Sequence, residues 1–217
     1  MSIQLERQAN KSGDETVASQ GFGRVSKTPA PLFNPLNETA EAIRYFETNG
    51  FVVLSPCLNS QELVELNQFF DRTQVEKANE WGLGEKRKPH HRNQGLIYSQ
   101  PLLDHPELDP YTQHPATYPI VSELLGGEEH VRFSEFNFRE TPENAGLGSM
   151  NFHHDATVED RLIRRPYSPC DWLCAIHYLT NVNASTPAFC VVPKSNQYET
   201  LRESFEAYGD EYIELPI

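Results

Sequence analysis

The feature that most constrains the fold is a change in hydrophobic periodicity near Val131. Before this point apolar residues recur at helical spacing, as Leu63, Leu66 and Phe70 do. From residue 131 to residue 139 apolar and polar side chains roughly alternate, which predicts a strand. Helices followed by strands predict an α+β protein with a mainly β core, built around an antiparallel sheet or barrel.

The same pattern rules predict the other elements. A helix begins near Asn37 and is closed by Gly50, a second is capped by Ser60, and a third covers residues 115–125. Short apolar runs predict further strands over residues 51–54, 172–179 and 188–192.

Composition limits the kind of protein and its partners. The 217 residues suffice for one domain with a full core, predicted over residues 37–217, after a flexible leader or extended arm over residues 1–36. The formal net charge of −13 disfavours nucleic-acid and membrane-surface partners. Because no apolar run approaches a membrane span and no signal peptide is recognisable, we expect a cytoplasmic location.

The cysteines are Cys57, Cys170, Cys174 and Cys190. They form no CxxC pair, and three of them have apolar or aromatic neighbours. This favours buried thiols in a reducing compartment over disulfides or a zinc site.

The most informative polar residues lie within residues 150–157. On a strand, alternate residues share a face, so His153 and Asp155 would point one way and His154 the other. An imidazole and a carboxylate on one face can hold adjacent positions on a metal, and a histidine from a distant strand would complete a facial triad. The remaining positions would accept a chelating cosubstrate and O2, which suits iron(II). Taken alone, a His-x-Asp tripeptide is also typical of a solvated polar turn.

The order of several short phrases resembles that of the phytanoyl-CoA dioxygenase family. An amphipathic helix leads into Asn49-Gly-Phe-Val-Val-Leu54, and a second helix starts with Ser60-Gln-Glu-Leu63. Phe152-His-His-Asp155 falls at the family's aromatic-His-x-Asp phrase. Leu179-Thr-Asn-Val182 and Val191-Val-Pro-Lys-Ser195 resemble two later phrases. The resemblance covers roughly residues 38 to 217.

The resemblance implies a double-stranded β-helix (a cupin-like jelly roll) with N-terminal helices on one sheet. It also implies an Fe(II)/2-oxoglutarate-dependent dioxygenase that hydroxylates a small organic substrate with O2 and releases succinate and CO2. His153 and Asp155 would be the metal ligands and catalytic residues. The candidate cosubstrate-binding residues are Asn137, Arg139, His154, His177 and Tyr178, the last two being alternatives because the sequence does not define their register.

Three positions depart from the family's pattern. Pro187 stands where a glycine is usual, and Lys194 and Asn196 replace a glycine and a histidine. We interpret these positions as turn-shaping ones that do not bind metal.

A larger departure concerns the third metal ligand. The family's second metal histidine and its cosubstrate arginine lie many tens of residues after the His-x-Asp phrase, whereas His177 is the only histidine after Asp155 here. We therefore expect a C-terminally truncated fragment without the late strands, in preference to a complete protein that uses His177.

Several alternatives stay open. In the strand over residues 131–139, Phe136 and Phe138 share a face that could pack against the helices, and Asn137 and Arg139 share the other. Arg139 is as compatible with a surface salt bridge as with a cosubstrate site. Residues 81–110 predict a long loop, in which His90-His91 beside basic residues fits a solvated loop better than a lid over an anionic substrate. A non-catalytic cupin-like binding protein is the main rival function. A halogenase is disfavoured because Asp155 is present, and a metal-dependent hydrolase or isomerase would want more histidines near the motif.

Overall fold

A computed structural model describes residues 2–8, 24–84, 95–141, 152–153, 170, 172–182, 188–198 and 200–215. The strands are β1 (Ser2–Gln8), β2 (Arg24–Val25), β3 (Leu32–Phe33), β4 (Val53–Leu54), β5 (Leu96–Ser99), β6 (Glu135–Thr141), β7 (Cys174–Tyr178), β8 (Phe189–Val191) and β9 (Glu211–Leu215). The helices are α1 (Thr39–Asn49), α2 (Ser60–Glu76), α3 (Ala78–Trp81), α4 (Asp109–Thr112), α5 (Tyr118–Leu124) and α6 (Leu201–Ala207). Single 3-10 turns cover Pro101–Leu103, Pro106–Leu108, Glu128–His130 and Ser195–Gln197.

The two longest helices have defined ends. Gly50 closes α1 in the left-handed conformation, with φ at 79°, as the sequence predicted. At the start of α2 the side chain of Asn59 accepts hydrogen bonds from the N–H groups of Gln61 and Glu62, and the Glu62 carboxylate accepts one from the N–H of Asn59. This capping box makes Asn59 the N-cap, one residue before the predicted Ser60.

The strands pair in three small sheets. The first has the order β5-β6-β1-β7, with β5 antiparallel to β6 and β1 parallel to both its neighbours. In the second, β9 lies between β2, to which it is parallel, and β8, to which it is antiparallel. The third pairs β3 and β4 in parallel.

The main core lies between the helices and the four-stranded sheet. The ring of Phe138 on β6 is 4.9 Å from that of Phe69 and 4.8 Å from that of Phe70, measured between centroids. Trp81 packs on Phe70 at 4.8 Å, and Phe136 packs on Phe138 at 5.5 Å. The buried residues packed around these rings include Ala42, Leu66, Leu96, Tyr98, Leu108, Ile120, Val121, Leu124, Leu125, Leu173 and Leu179.

A smaller second core joins the segment after α1 to the second sheet. Phe51 and Val53 pack with Ile213 and Leu215 of β9, and Val191 of β8 contacts them. The second core therefore links residues that are far apart in the chain.

The described residues form a mixed helix and strand protein whose sheets stay small and open. Strands β1–β5 lie before or between the helices α1–α5, so the predicted order of helices followed by strands is only partly correct, and strands pair in parallel as well as antiparallel fashion. The jelly roll therefore stays a prediction. The predicted strands are shorter in the structure, and residues 131–134 lie outside β6. Within the predicted leader, residues 2–8 form a strand. Among the described helices, none is both long enough and apolar enough to span a bilayer.

Candidate functional site

Phe152, which precedes His153 in the predicted metal motif, makes two aromatic contacts. The ring of Phe152 lies 5.2 Å from that of Phe205 on α6 and 5.3 Å from that of Tyr212 on β9, between centroids. Phe205 is buried, so Phe152 packs against a side chain of the protein interior. The next residue, His153, is exposed. Its imidazole thus stands at the surface beside the second sheet.

The other two residues of the motif, His154 and Asp155, lie outside the described residues. The described part of the chain also contains no group of three His, Cys, Asp or Glu side chains that could hold a metal. His153 can supply one nitrogen ligand, and no described carboxylate or imidazole completes a site around it. The residues described do not by themselves fit a bound iron ion.

The two faces of β6 differ in their surroundings. Phe136 and Phe138 are buried against the helices. Asn137 and Arg139 alternate with them and are half-buried on the opposite face. This is the arrangement that the alternating pattern of residues 131–139 predicted for the phenylalanines. Whether Asn137 and Arg139 bind a cosubstrate stays a prediction.

Strand register separates His177 from Tyr178. Through β1, His177 is aligned with Phe138, and Tyr178 is aligned with Arg139. Aligned residues of neighbouring strands fall on the same face of a sheet. Tyr178 therefore shares a face with Arg139 and Asn137, while His177 belongs to the face that packs on the helices.

His177 lies in a buried polar cluster behind the sheet. Its ring is 6.1 Å from that of His114, centroid to centroid. Burial lowers the pKa of His177 to about 4, repulsion from His114 adds to the effect, and the Glu62 carboxylate opposes it. The side chain is therefore neutral at neutral pH.

His114 is engaged at both ring nitrogens. Its Nε2 lies 3.1 Å from Oε1 of Glu62, and its Nδ1 accepts the N–H of Ala116 at 3.2 Å. Because Nδ1 is an acceptor, the ring proton is placed on Nε2 and donated to Glu62. Glu62 also caps α2, so this pair ties the start of α2 to the loop before α5. No local sequence pattern indicates this pair, since the two residues are 52 positions apart.

Tyr178 connects β7 to β8. Its hydroxyl oxygen accepts a hydrogen bond from the N–H of Phe189 at 2.8 Å. This hydrogen bond fixes the Tyr178 hydroxyl beside the start of β8.

Two phrases that carried the family resemblance meet in space. The N–H of Lys194 donates to the carbonyl of Asn49 at 2.7 Å. Gly50 has a positive φ, and a Cβ added there would collide with the side chain of Asn196. Lys194 itself is left-handed, with φ at 62°. It adopts the conformation for which a glycine is best suited, so its position shapes a turn, as the sequence predicted.

The remaining candidate residues are the cysteines and the predicted basic loop. All four cysteines are half-buried thiols, and burial raises the pKa of Cys57 to about 11, which keeps that thiol protonated. The predicted basic loop around His90-His91 lies outside the described residues.

No protein-family model matches the chain, and comparisons with curated proteins and with solved structures found no similar protein. The family resemblance therefore depends on the sequence phrases alone.

Proposed function

We propose that this chain is the oxygenase domain of an Fe(II)/2-oxoglutarate-dependent dioxygenase that resembles the phytanoyl-CoA dioxygenase family. It would hydroxylate a small organic substrate with O2 and release succinate and CO2. The observation that carries the proposal is the shared sheet face of Asn137, Arg139 and Tyr178, which is opposite to the helix-packed face.

Arg139 is the residue of that face that could pair with a dicarboxylate. Its guanidinium can bind a carboxylate through two parallel hydrogen bonds, and such charge-assisted pairs are the strong ones. Asn137 on the same strand and Tyr178 two strands away could add hydrogen-bond donors, with Glu6 of β1 in register between Arg139 and Tyr178. With Tyr178 on this face, we assign it, and not His177, as the cosubstrate-contacting member of the pair.

The metal would be held by His153 and Asp155 together with a third histidine. Bound iron would supply the oxygen activation. The contact of Phe152 with Phe205 and Tyr212 would orient the first ligand. A cytoplasmic location belongs to the same proposal, because the four half-buried thiols fit a reducing compartment.

The complete gene product, freed of metal and kept without oxygen, provides the test. Adding iron(II) and 2-oxoglutarate together should produce a visible charge-transfer absorption band, and admitting O2 should release succinate. His153→Ala and Asp155→Ala should each remove the band and reduce succinate to the protein-free background. His130→Ala is the matched control, since His130 is a partly exposed histidine beside Glu129 and outside the motif, and both signals should survive.

A second candidate is a non-catalytic cupin-like binding protein. The absence of a three-ligand metal group among the described residues favours it. Iron(II) binding that depends on His153 but yields neither the band nor succinate would replace the oxygenase with this alternative. If iron(II) binding does not depend on His153 at all, both candidates lose their metal site.

A further inference from the structure

The four-stranded sheet contains a slot that is filled by a strand from the start of the chain. β6 and β7 are not paired to each other, because β1 lies between them. All seven residues of β1 are in register with β6, and five of them are also in register with β7. We call the space between β6 and β7 the acceptor slot.

The acceptor slot depends on β1 for its backbone hydrogen bonds. An inner strand uses its N–H and C=O groups on both sides, and an open strand edge is a template for pairing with another chain. Without β1, the facing edges of β6 and β7 would both be open over the length of that register. An extended segment of some kind is therefore needed to complete the sheet.

The sequence of β1 matches the two strands that it joins. Ile3 is aligned with Phe136 and Ala175, and Leu5 is aligned with Phe138 and His177. All of these partners belong to the helix-packed side of the sheet. The intervening positions of β1 are Ser2, Gln4 and Glu6, which are polar. The slot thus fits a segment with apolar residues two positions apart and polar residues between them.

The pairing of β1 makes it exchangeable. Residues 9–23 separate it from β2, which belongs to a different sheet. Leaving the slot breaks the ladders to β6 and β7 only, since β1 pairs with no other described strand. An element that can leave one slot without disturbing other pairings is one that protomers can exchange.

We propose that the acceptor slot is a strand-docking site and that residues 2–8 of a second copy of this chain can fill it. The recognition is strand addition, in which main-chain hydrogen bonds supply affinity and the alternating side chains supply specificity. Within one chain the local segment occupies the slot at a high effective concentration. A segment supplied by another molecule competes with it.

The register provides a direct covalent test, because Ser2 is aligned with Cys174. Neighbouring strands lie ~4.8 Å apart, which is within disulfide range. In the Ser2→Cys chain under mild oxidation, a disulfide from residue 2 to Cys174 should form within one molecule at low concentration. A disulfide-linked dimer should grow as the protein concentration rises. Adding Cys174→Ser should abolish both products, and peptide mapping excludes the other three cysteines.

A peptide of residues 1–9 that carries Ser2→Cys tests docking from outside. It should label Cys174 of the otherwise unchanged chain in a saturable manner, and it should label a Leu5→Pro chain at least about ten-fold more, because that chain's own strand competes poorly. A matched peptide with Ile3→Asp and Leu5→Asp should not label either chain. The Ser2→Cys experiment does not need the proline variant to fold.

Two results would overturn the proposal. If only the intramolecular disulfide forms at every concentration and the peptide never labels Cys174, the strand does not exchange. If neither the intramolecular nor the intermolecular disulfide forms, residues 2–8 do not occupy the slot.

Discussion

The main core and the second core stabilise the protein in different ways. Of the described residues, sixteen buried apolar ones form the main core, and its rings stack on both helices and strands. Four buried ones form the second core, and backbone turns and single hydrogen bonds complete it. Phe152, which precedes the candidate metal ligand His153, contacts Tyr212 in the region of the second core. The candidate metal ligand thus lies in the part with less buried apolar surface, where local opening costs less, whereas the candidate cosubstrate residues of β6 and β7 lie on the main sheet.

The largest expected effect comes from removing a ring in the main core. Phe138→Ala should lower the free energy of unfolding by about 3–5 kcal/mol, because the surrounding rings cannot move to fill the cavity that it leaves. Phe189→Ala is the matched change near the second core, and it should cost under about 1 kcal/mol because that ring is 44% exposed. Urea denaturation of both variants checks the comparison. Equal losses would mean that the two regions are equally packed.

The pH dependence of stability tests the polar cluster that contains His177. The unfolded His177 titrates near pH 6.5, and the pKa of the folded side chain is about 4. Between these values the unfolded chain binds a proton that the folded chain does not. This contribution to stability is complete above pH 6.5 and is lost as the pH falls towards 4, by at most about 1.4 kcal/mol per pH unit.

His177→Gln removes that titration. Relative to the unchanged protein, the variant should lose about 2 kcal/mol less of its unfolding free energy between pH 6.5 and 5. Chemical denaturation at each pH measures the difference. Parallel pH curves for the two proteins would show that His177 is not buried in the neutral form.

The next prediction concerns the contribution of one buried hydrogen bond in the main core to stability. The Trp81 indole N–H donates to the hydroxyl of Thr73 at 3.0 Å, and both side chains are fully buried. Thr73→Val keeps the shape and leaves the indole without its acceptor, which should cost about 1–3 kcal/mol. Thr48→Val removes a comparable hydroxyl from the exposed face of α1 and should change stability by under about 0.5 kcal/mol. Thermal unfolding of both variants measures whether the buried hydroxyl contributes more to stability than the exposed one.

The smallest effect is expected at the turns beside the second core, with opposite signs at two positions. Lys194→Gly should leave stability unchanged or raise it by up to about 1 kcal/mol, because a left-handed conformation costs a lysine more than a glycine. Gly50→Ala should lower stability by at least about 1 kcal/mol. The added Cβ would collide with the side chain of Asn196, and the positive φ of this position is unfavourable for alanine. A destabilised Lys194→Gly protein would show that the lysine side chain, and not its backbone, holds the turn.

The sequence alone determined the elements whose signals are local. The helical spacing of Leu66 and Phe70 marked α2, Gly50 marked the end of α1, and the alternation around Phe136 and Phe138 identified both a strand and its buried face. These features depend on residues within one or two turns of each other, where periodicity and backbone preference decide the outcome. The N-cap was missed by one residue, since Asn59 and Ser60 are both good caps and only the reciprocal bond with Glu62 distinguishes them.

Only the tertiary structure decided which distant segments pair. It placed Ser2–Gln8 between β6 and β7, brought His114 to Glu62, and put Tyr178 rather than His177 on the face of Arg139. The physical reason is that open strand edges and buried polar groups must find partners, and many segments of a chain satisfy that need equally well by local criteria. Burial against the helices then selects one register, because a shift by a single residue would turn every side chain of a strand to the other face.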